Sequence, residues 1–286
     1  MVGAIGQSTA CCRRIKELRL HYSSHVFRFE HRVQELNVKD RRLSDEFVSQ
    51  TGRTLLNLRE LLLRGDFKPG ERISELPLVA RLGVSRTPIR LALDRLSNEG
   101  LLEVAPSGGF VVREFTRTDI WDAIEVRGVL EGTAARLASE RMVDDSELDL
   151  LRDMQNQMDS VQHPTIDTFA RYIDLNEAFH SALLDLAKSP MLRRALEKVM
   201  TLPFAAPSAL VFARSKLPRA AEMFTIAGAH HRSLIEAIAN RQGARAENLA
   251  REHALLSRRN LEMVFSDETL LNSLPGASLI RSSAGE

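Results

Sequence analysis

Asn176 and His180 stand four residues apart in the segment NEAFHSALLDLAKSPML, whose apolar period is helical, so both side chains leave one helix face and can meet one ligand. His231 and His253 fall on two later helical segments. Three imidazoles converging inside a helical bundle suit a divalent transition metal such as zinc or nickel. Spacing alone leaves open the alternative of unrelated surface or core histidines. A second group with chemistry is Arg86 and Arg90, four apart on the outward face of a helix whose inward stripe is Ile89, Ala92, Leu93 and Leu96. Both arginines lie in its first half, where a helix entering the major groove reads bases and where its dipole favours phosphate.

Those residues need elements to hold them, and the 286-residue chain is long enough for two domains. Residues 1–45 carry many arginines, few acids and no sustained apolar period, which reads as a flexible extension. Residues 46–115 have the punctuation of a compact unit. Leu55, Leu58 and Leu62 give a first helix one apolar face, and Gly65 with Pro69-Gly70 stops it. A second helix starts near Ser74, tolerates Pro77 in its first turn and breaks at Gly83. Ser85 then caps a third helix that ends at Gly100, its hydroxyl limited to the Thr87 N–H because Pro88 has none. Leu101 to Ala105 and Phe110 to Arg113 are short alternating runs joined by Pro106, Ser107, Gly108 and Gly109, hence a hairpin, or wing. The unit is a winged helix-turn-helix, expected to fold separately from the rest.

Residues 116–266 are helical by period almost throughout and predict an all-α bundle of about six or seven helices, with 267–286 left as a C-terminal tail. The fold class is therefore mostly α. No segment approaches about 18 uninterrupted apolar residues and the start lacks a basic, apolar leader, so a cytoplasmic protein without membrane attachment is expected. Cys11 and Cys12 are adjacent and far from any third thiol, which excludes a disulfide framework and a CxxC motif. A net charge of +1 gives no overall basic footprint, so nucleic-acid binding has to be argued from where individual arginines sit. The sequence holds no HExxH, GxSxG or P-loop, which leaves a metal-dependent hydrolase weakly supported and points away from an enzyme.

The residues FKPGERI (67–73), LGVSRTPIRLALDRLSNEGLL (82–102) and the glycine wing SGGF resemble the GntR family of regulators. The patterns IWDAIEVRGVLEGTAARLASE, NEAFHSALLDLAKSPML, HHRSLIEAIANRQ and REHALL resemble the FCD ligand-sensing domain of its FadR branch. The resemblance implies a homodimeric DNA-binding transcription regulator on an inverted-repeat operator, controlled by a small carboxylate effector. It implies that Ser85, Arg86, Thr87 and Arg90 contact the operator, with Ser107, Gly108 and Gly109 at the minor groove. It implies Asn176, His180, His231 and His253 as metal ligands, with Asn where relatives more often carry Asp, and His230 as a bystander. Arg127 is the position that relatives use against an effector carboxylate; an ion pair with Glu131 at i+4 is the alternative. Two departures stand out: Leu76 replaces a basic residue of some relatives, and Leu91 replaces the usual Glu.

Overall fold

The computed structural model describes residues 50–161, 166–202, 204–206 and 220–281; the expected N-terminal extension, 1–45, lies outside them. Helix α1 (Gln50–Arg64) buries Leu55, Leu58 and Leu62 and stops at Gly65, whose φ of 80° is the left-handed region that favours glycine. Helix α2 (Glu75–Leu82) ends at Gly83 in the same region, and α3 (Arg86–Asn98) follows at once. Ser85 is the N-cap of α3, but its side chain makes no capping bond. With the hydroxyl exposed and uncommitted to the helix, the expected Thr87 contact is absent.

Strands β1 (Arg72–Ile73), β2 (Leu102–Val104) and β3 (Phe110–Val112) form one antiparallel sheet in the order β1-β3-β2. Arg72 pairs with Val111 on one side of β3, and Glu103 pairs with Val111 on the other. The β2–β3 hairpin is the wing. Strand β1 had no period to announce it, being two residues long.

Helix α4 (Arg117–Arg141) opens on a reciprocal cap: the Thr116 hydroxyl accepts from the Asp119 N–H, and the Asp119 carboxylate accepts from the Thr116 N–H. A short 3-10 turn at Asp145–Leu148 leads into α5 (Asp149–Asp159), then α6 (Ile166–Leu186), α7 (Pro190–Met200), α8 (Ala220–Ala239) and α9 (Gly243–Phe265). Helices α4 and α9 form the spine. They pack through small residues: a Cβ added at Gly132 would lie 2.9 Å from the Glu247 carbonyl oxygen, and one at Gly128 would lie 3.1 Å from the Ala254 Cβ.

The spine runs through two cores. Ala135 and Ala138 of α4 and Ala246 and Ala250 of α9 sit in the bundle core with Phe179, Leu183, Leu234 and Ile238. At the other end, Ile120, Ile124, Leu261 and Val264 share one apolar cluster with Leu58, Leu62, Ile89, Leu93 and Phe110. The apolar cluster of the winged helix is thus continuous with residues of the helical domain. Its core is completed by the helical domain, because its three short helices and small sheet leave apolar surface that α4 and α9 cover.

Residues 267–281, read from sequence as a tail, join that cluster too. Asp267 caps α10 (Glu268–Ser273), a 3-10 turn follows at Ala277–Leu279, and Leu270, Leu274 and Leu279 are buried with the winged helix. Gly276 N–H donates to the Leu63 carbonyl (2.7 Å), and Phe115 and Ile280 form a parallel bridge. This segment straps α9 to α1 and to the entry of α4.

Gly132→Ala tests the spine. Alanine is the better helix former by about 1 kcal/mol, yet the new Cβ has backbone on its far side, and overpacking of this kind costs about 1 to 3 kcal/mol. A lower melting temperature is expected; an increase would show that α4 and α9 do not pack this closely.

Candidate functional site

Three bundle helices and α4 converge on the histidines. His180 is on α6, His231 on α8 and His253 on α9, and one ligand atom from each lies within 4.8 Å of the others. His180 and His231 are buried and His253 is half-buried. Asn176, also buried, sits one turn before His180 on α6. Spacing predicted the helices; the fold supplies the convergence.

His231 is oriented from behind. The Gln155 Nε2 donates to Asp159 Oδ1 (2.8 Å), so its Oε1 is the atom that faces His231 Nδ1 at 2.8 Å and accepts from it. His231 therefore holds a proton on Nδ1, and its Nε2 lies 3.2 Å from the His253 Nε2. Arg232 holds the far end of this relay with two bonds to Asp159 (2.7 and 2.8 Å). Phe179 stacks on the His231 ring, centroids 4.1 Å apart. On the other side His180 Nδ1 lies 3.4 Å from Glu131 Oε1, and among the described residues neither buried ring nitrogen of His180 has a hydrogen-bond partner.

A buried imidazole nitrogen without a partner is costly unless something else binds it. Zinc–nitrogen bonds of about 2.0–2.1 Å in tetrahedral array place their nitrogens about 3.3 Å apart. The donor set fits a divalent transition ion. Gln155 occupies the place of an outer group that ordinarily orients a metal-binding imidazole. Gln155 escaped the sequence reading, although a signal existed: it is the polar member of the buried stripe Leu151, Gln155, Met158 on α5.

Arg127, 1% exposed, shows the ion-pair arrangement. Its Nη1 donates to the Ala205 carbonyl (2.7 Å), its Nη2 to the Ala254 carbonyl (3.2 Å) and to Ser257 Oγ (2.9 Å), and its Nε lies 3.8 Å from Glu131. Desolvation pulls the Arg127 pKa down, against the Glu131 charge that raises it. Burial pushes the Glu131 carboxyl up, but Arg127 and then His180 draw it below its ordinary value.

The second site is the outer face of the winged helix. Ser85, Arg86, Thr87 and Arg90 are all exposed on the first turns of α3, and Ser107, Gly108 and Gly109 are exposed at the wing tip. Among the described residues Arg86 and Arg90 enter no ion pair, whereas Arg59, Arg64, Arg81, Arg95 and Arg113 of the same domain each have a carboxylate partner. Leu76 and Leu91, the two departures from the family pattern, are exposed as well.

Residues 51–112 match the model of the bacterial regulatory proteins of the gntR family, and residues 122–255 match that of the FCD domain. An HTH-type transcriptional regulator in the TAR-I ttuE-ttuC' intergenic region of Agrobacterium vitis is 31% identical over 150 residues, 51% of this chain and 86% of that protein. The chain belongs to the GntR family and carries an FCD domain. The Nta operon transcriptional regulator of Aminobacter aminovorans is 37% identical over 133 residues, which span 46% of this chain and 61% of that relative's length. In fold the GntR chain is similar to E. coli McbR/YncC, with a TM-score of 0.52 and 23% identity over 77% of this chain and 99% of that one. FCD domains can bind metals.

Replacing Glu131 with Gln leaves the Arg127 charge buried without its counter-charge, and losing one partner of such a pair costs about 3 to 5 kcal/mol. Urea unfolding should read that loss at neutral pH, with partial recovery in the Arg127→Met, Glu131→Leu double variant. Because the folded Glu131 pKa is depressed, the stabilisation is complete above the unfolded value near 4.5 and disappears as pH falls through the folded one. An unchanged midpoint in Glu131→Gln would refute the pair's role.

Proposed function

We propose that the protein is a cytoplasmic DNA-binding transcription regulator, a homodimer on an inverted-repeat operator, whose affinity for DNA is set by a small organic acid bound at a metal centre in the helical domain. The observation that carries the DNA-binding reading is the pair of exposed arginines, Arg86 and Arg90, without ion-pair partners among the described residues, on the first turns of α3 beside a glycine wing. A fork of N–H donors in that place suits guanine edges and phosphates, and Ser85 and Thr87 add hydroxyls. One recognition helix reads too few base pairs to be selective, so two-fold pairing is expected to supply the second. No helix among the described residues is long and apolar enough to cross a membrane, which accords with a DNA target.

The residues that would hold the metal are His180, His231 and His253, with Asn176 as a weaker neutral donor. A divalent ion such as zinc or nickel, when bound, supplies a positive centre that accepts an oxygen ligand from outside the protein. The chain does the rest. Gln155 fixes the His231 tautomer, Glu131 faces His180, and Arg127 braces Glu131 from behind. For Arg127 to close directly on the effector carboxylate, it would have to exchange its bonds to Ala205, Ala254 and Ser257. An effector that favours one packing of the helices reaches the DNA face through α4 and α9, which enter both cores. Coupling of the usual size, about 1 to 3 kcal/mol, changes operator affinity by about 5- to 150-fold, with release of DNA the expected sign.

The test begins with fragments selected by the protein from its own genome. Arg86→Ala and Arg90→Ala should each weaken operator binding by about 1 to 3 kcal/mol while the fold survives; wild-type affinity in either would move the recognition face elsewhere. Protein purified without added ions or a His tag should hold a divalent metal that His231→Ala lacks. Gln155→Leu should keep the site but bind zinc about 10- to 100-fold more weakly in chelator competition, with His230→Ala unchanged. If chelated wild type and His231→Ala answer the effector as untreated wild type does, the regulator works through a metal-free pocket, the alternative in which the histidines only line the ligand site.

A further inference from the structure

A wing that approaches DNA needs positive charge, and this wing has none of its own. From Val104 to Val112 no residue is ionisable. Arg113, at its base, is turned away: it lies 3.8 Å from Glu103 and 3.6 Å from Asp119 and sits over the Phe115 ring. The nearest cation comes from another strand. Arg72, on β1, pairs with Val111 of β3, and its side chain lies along the sheet to the wing tip. There Nη1 donates to Ser107 Oγ (2.8 Å) and Nη2 donates to the Gly108 carbonyl. A Cβ on Gly109 would stand 3.2 Å from Nη2, so the guanidinium fits against glycine and leaves little room for a side chain there.

The loop it grips needs gripping. Gly108 and Gly109 both have φ near 80°, closed by Gly108 N–H to the Ala105 carbonyl (2.8 Å) and Ala105 N–H to the Gly109 carbonyl (3.0 Å). Successive glycines are the most flexible backbone available. Arg72 is exposed, forms no ion pair among the described residues and spends two of its five N–H groups on the loop, leaving donors for a ligand.

We propose that Arg72 is the DNA-contacting cation of the wing, giving its remaining N–H groups to the operator where the wing lies in the minor groove, while the same guanidinium fixes the loop's shape. Ligand and brace are thus one residue. The chemistry is that of an arginine at a narrow, A·T-rich minor groove, where the negative potential is deepest. The inference rests on the reading of α3 as the recognition helix.

Wild type, Arg72→Ala, Arg72→Lys and Arg81→Ala are titrated with the selected operator from 50 to 200 mM salt, and hydroxyl-radical footprints are taken on each complex. Arg81, which already holds Asp66, serves as the ion-paired control. Arg72→Ala is expected to lose about tenfold or more in affinity and about one unit of salt slope, and to lose protection only at the minor groove flanking the α3 site. Arg72→Lys should keep the slope but not the full affinity, since an ammonium restores charge without the fork. Replacing flanking A·T pairs with G·C should weaken wild type and leave Arg72→Ala nearly indifferent. Wild-type affinity and slope in Arg72→Ala, with melting temperatures equal, would overturn the proposal; so would a loss of affinity with the slope and footprint unchanged, which would leave only a brace. If wild type selects no sequence at all, or Arg86→Ala is without effect, it is the reading of α3 that fails.

Discussion

A guanidinium cannot be buried dry without acceptors and a counter-charge, and Arg127 meets both demands at the centre of the molecule. Its acceptors come from far apart in the chain: the carbonyls of Ala205 and Ala254 and the hydroxyl of Ser257. Its counter-charge, Glu131, is one turn along α4 and turns its other oxygen toward His180. One buried charge therefore fixes the distance between α4 and α9, pins the 204–206 segment to both, and sets the field in which the histidine cluster sits. The glycines at 128 and 132 are the steric counterpart, since only bare backbone lets α9 come near enough for its carbonyl at 254 to be reached.

Much of this was legible because helical period is a strong signal. Leu55, Leu58 and Leu62, the stripe from Ile89 to Leu96, and the four-residue step from Asn176 to His180 all survive in the structure on the helices expected for them. Other features were not legible, for identifiable reasons. Convergence of His180, His231 and His253 is a property of packing, and no one-dimensional spacing encodes it. Arg127 and Glu131 at i+4 look the same on a surface as in a core, so their spacing left two roles open and gave no sign that the pair is buried. Strand β1 is two residues long, too short for alternation, and its Arg72 had no sequence neighbour on the wing. The Ser85 cap was expected from residue type, yet the hydroxyl stays off the helix.

Ion pairing separates scaffold from working surface more clearly than total charge does. A net charge of +1 suggests nothing, because five cations of the winged helix are cancelled locally: Arg59 and Arg95 on Glu99, Arg64 on Glu60, Arg81 on Asp66, Arg113 between Glu103 and Asp119. Arg72, Arg86 and Arg90, which have no carboxylate partner among the described residues, carry their field outward, and that field attracts a polyanion over about a Debye length, roughly 8 to 10 Å. The local excess is modest. It favours an encounter that depends strongly on salt and a complex whose selectivity comes from a few forked contacts.

The strap formed by residues 267–281 changes what the two family modules mean in this chain. Their matches end at residue 112 and begin at residue 122, as though the protein could be parted between them. Yet the last described residues return across that joint, place Leu270, Leu274 and Leu279 in the winged helix's own core, and hydrogen-bond to Leu63 and Phe115. Heredity by module shuffling therefore meets an obstacle: a recombination event at the joint would give a new reader domain a foreign strap to fold against. A lineage that exchanges its DNA-binding half keeps those contacts only by exchanging residues 267–281 with it, and an engineered hybrid keeps them in the same way.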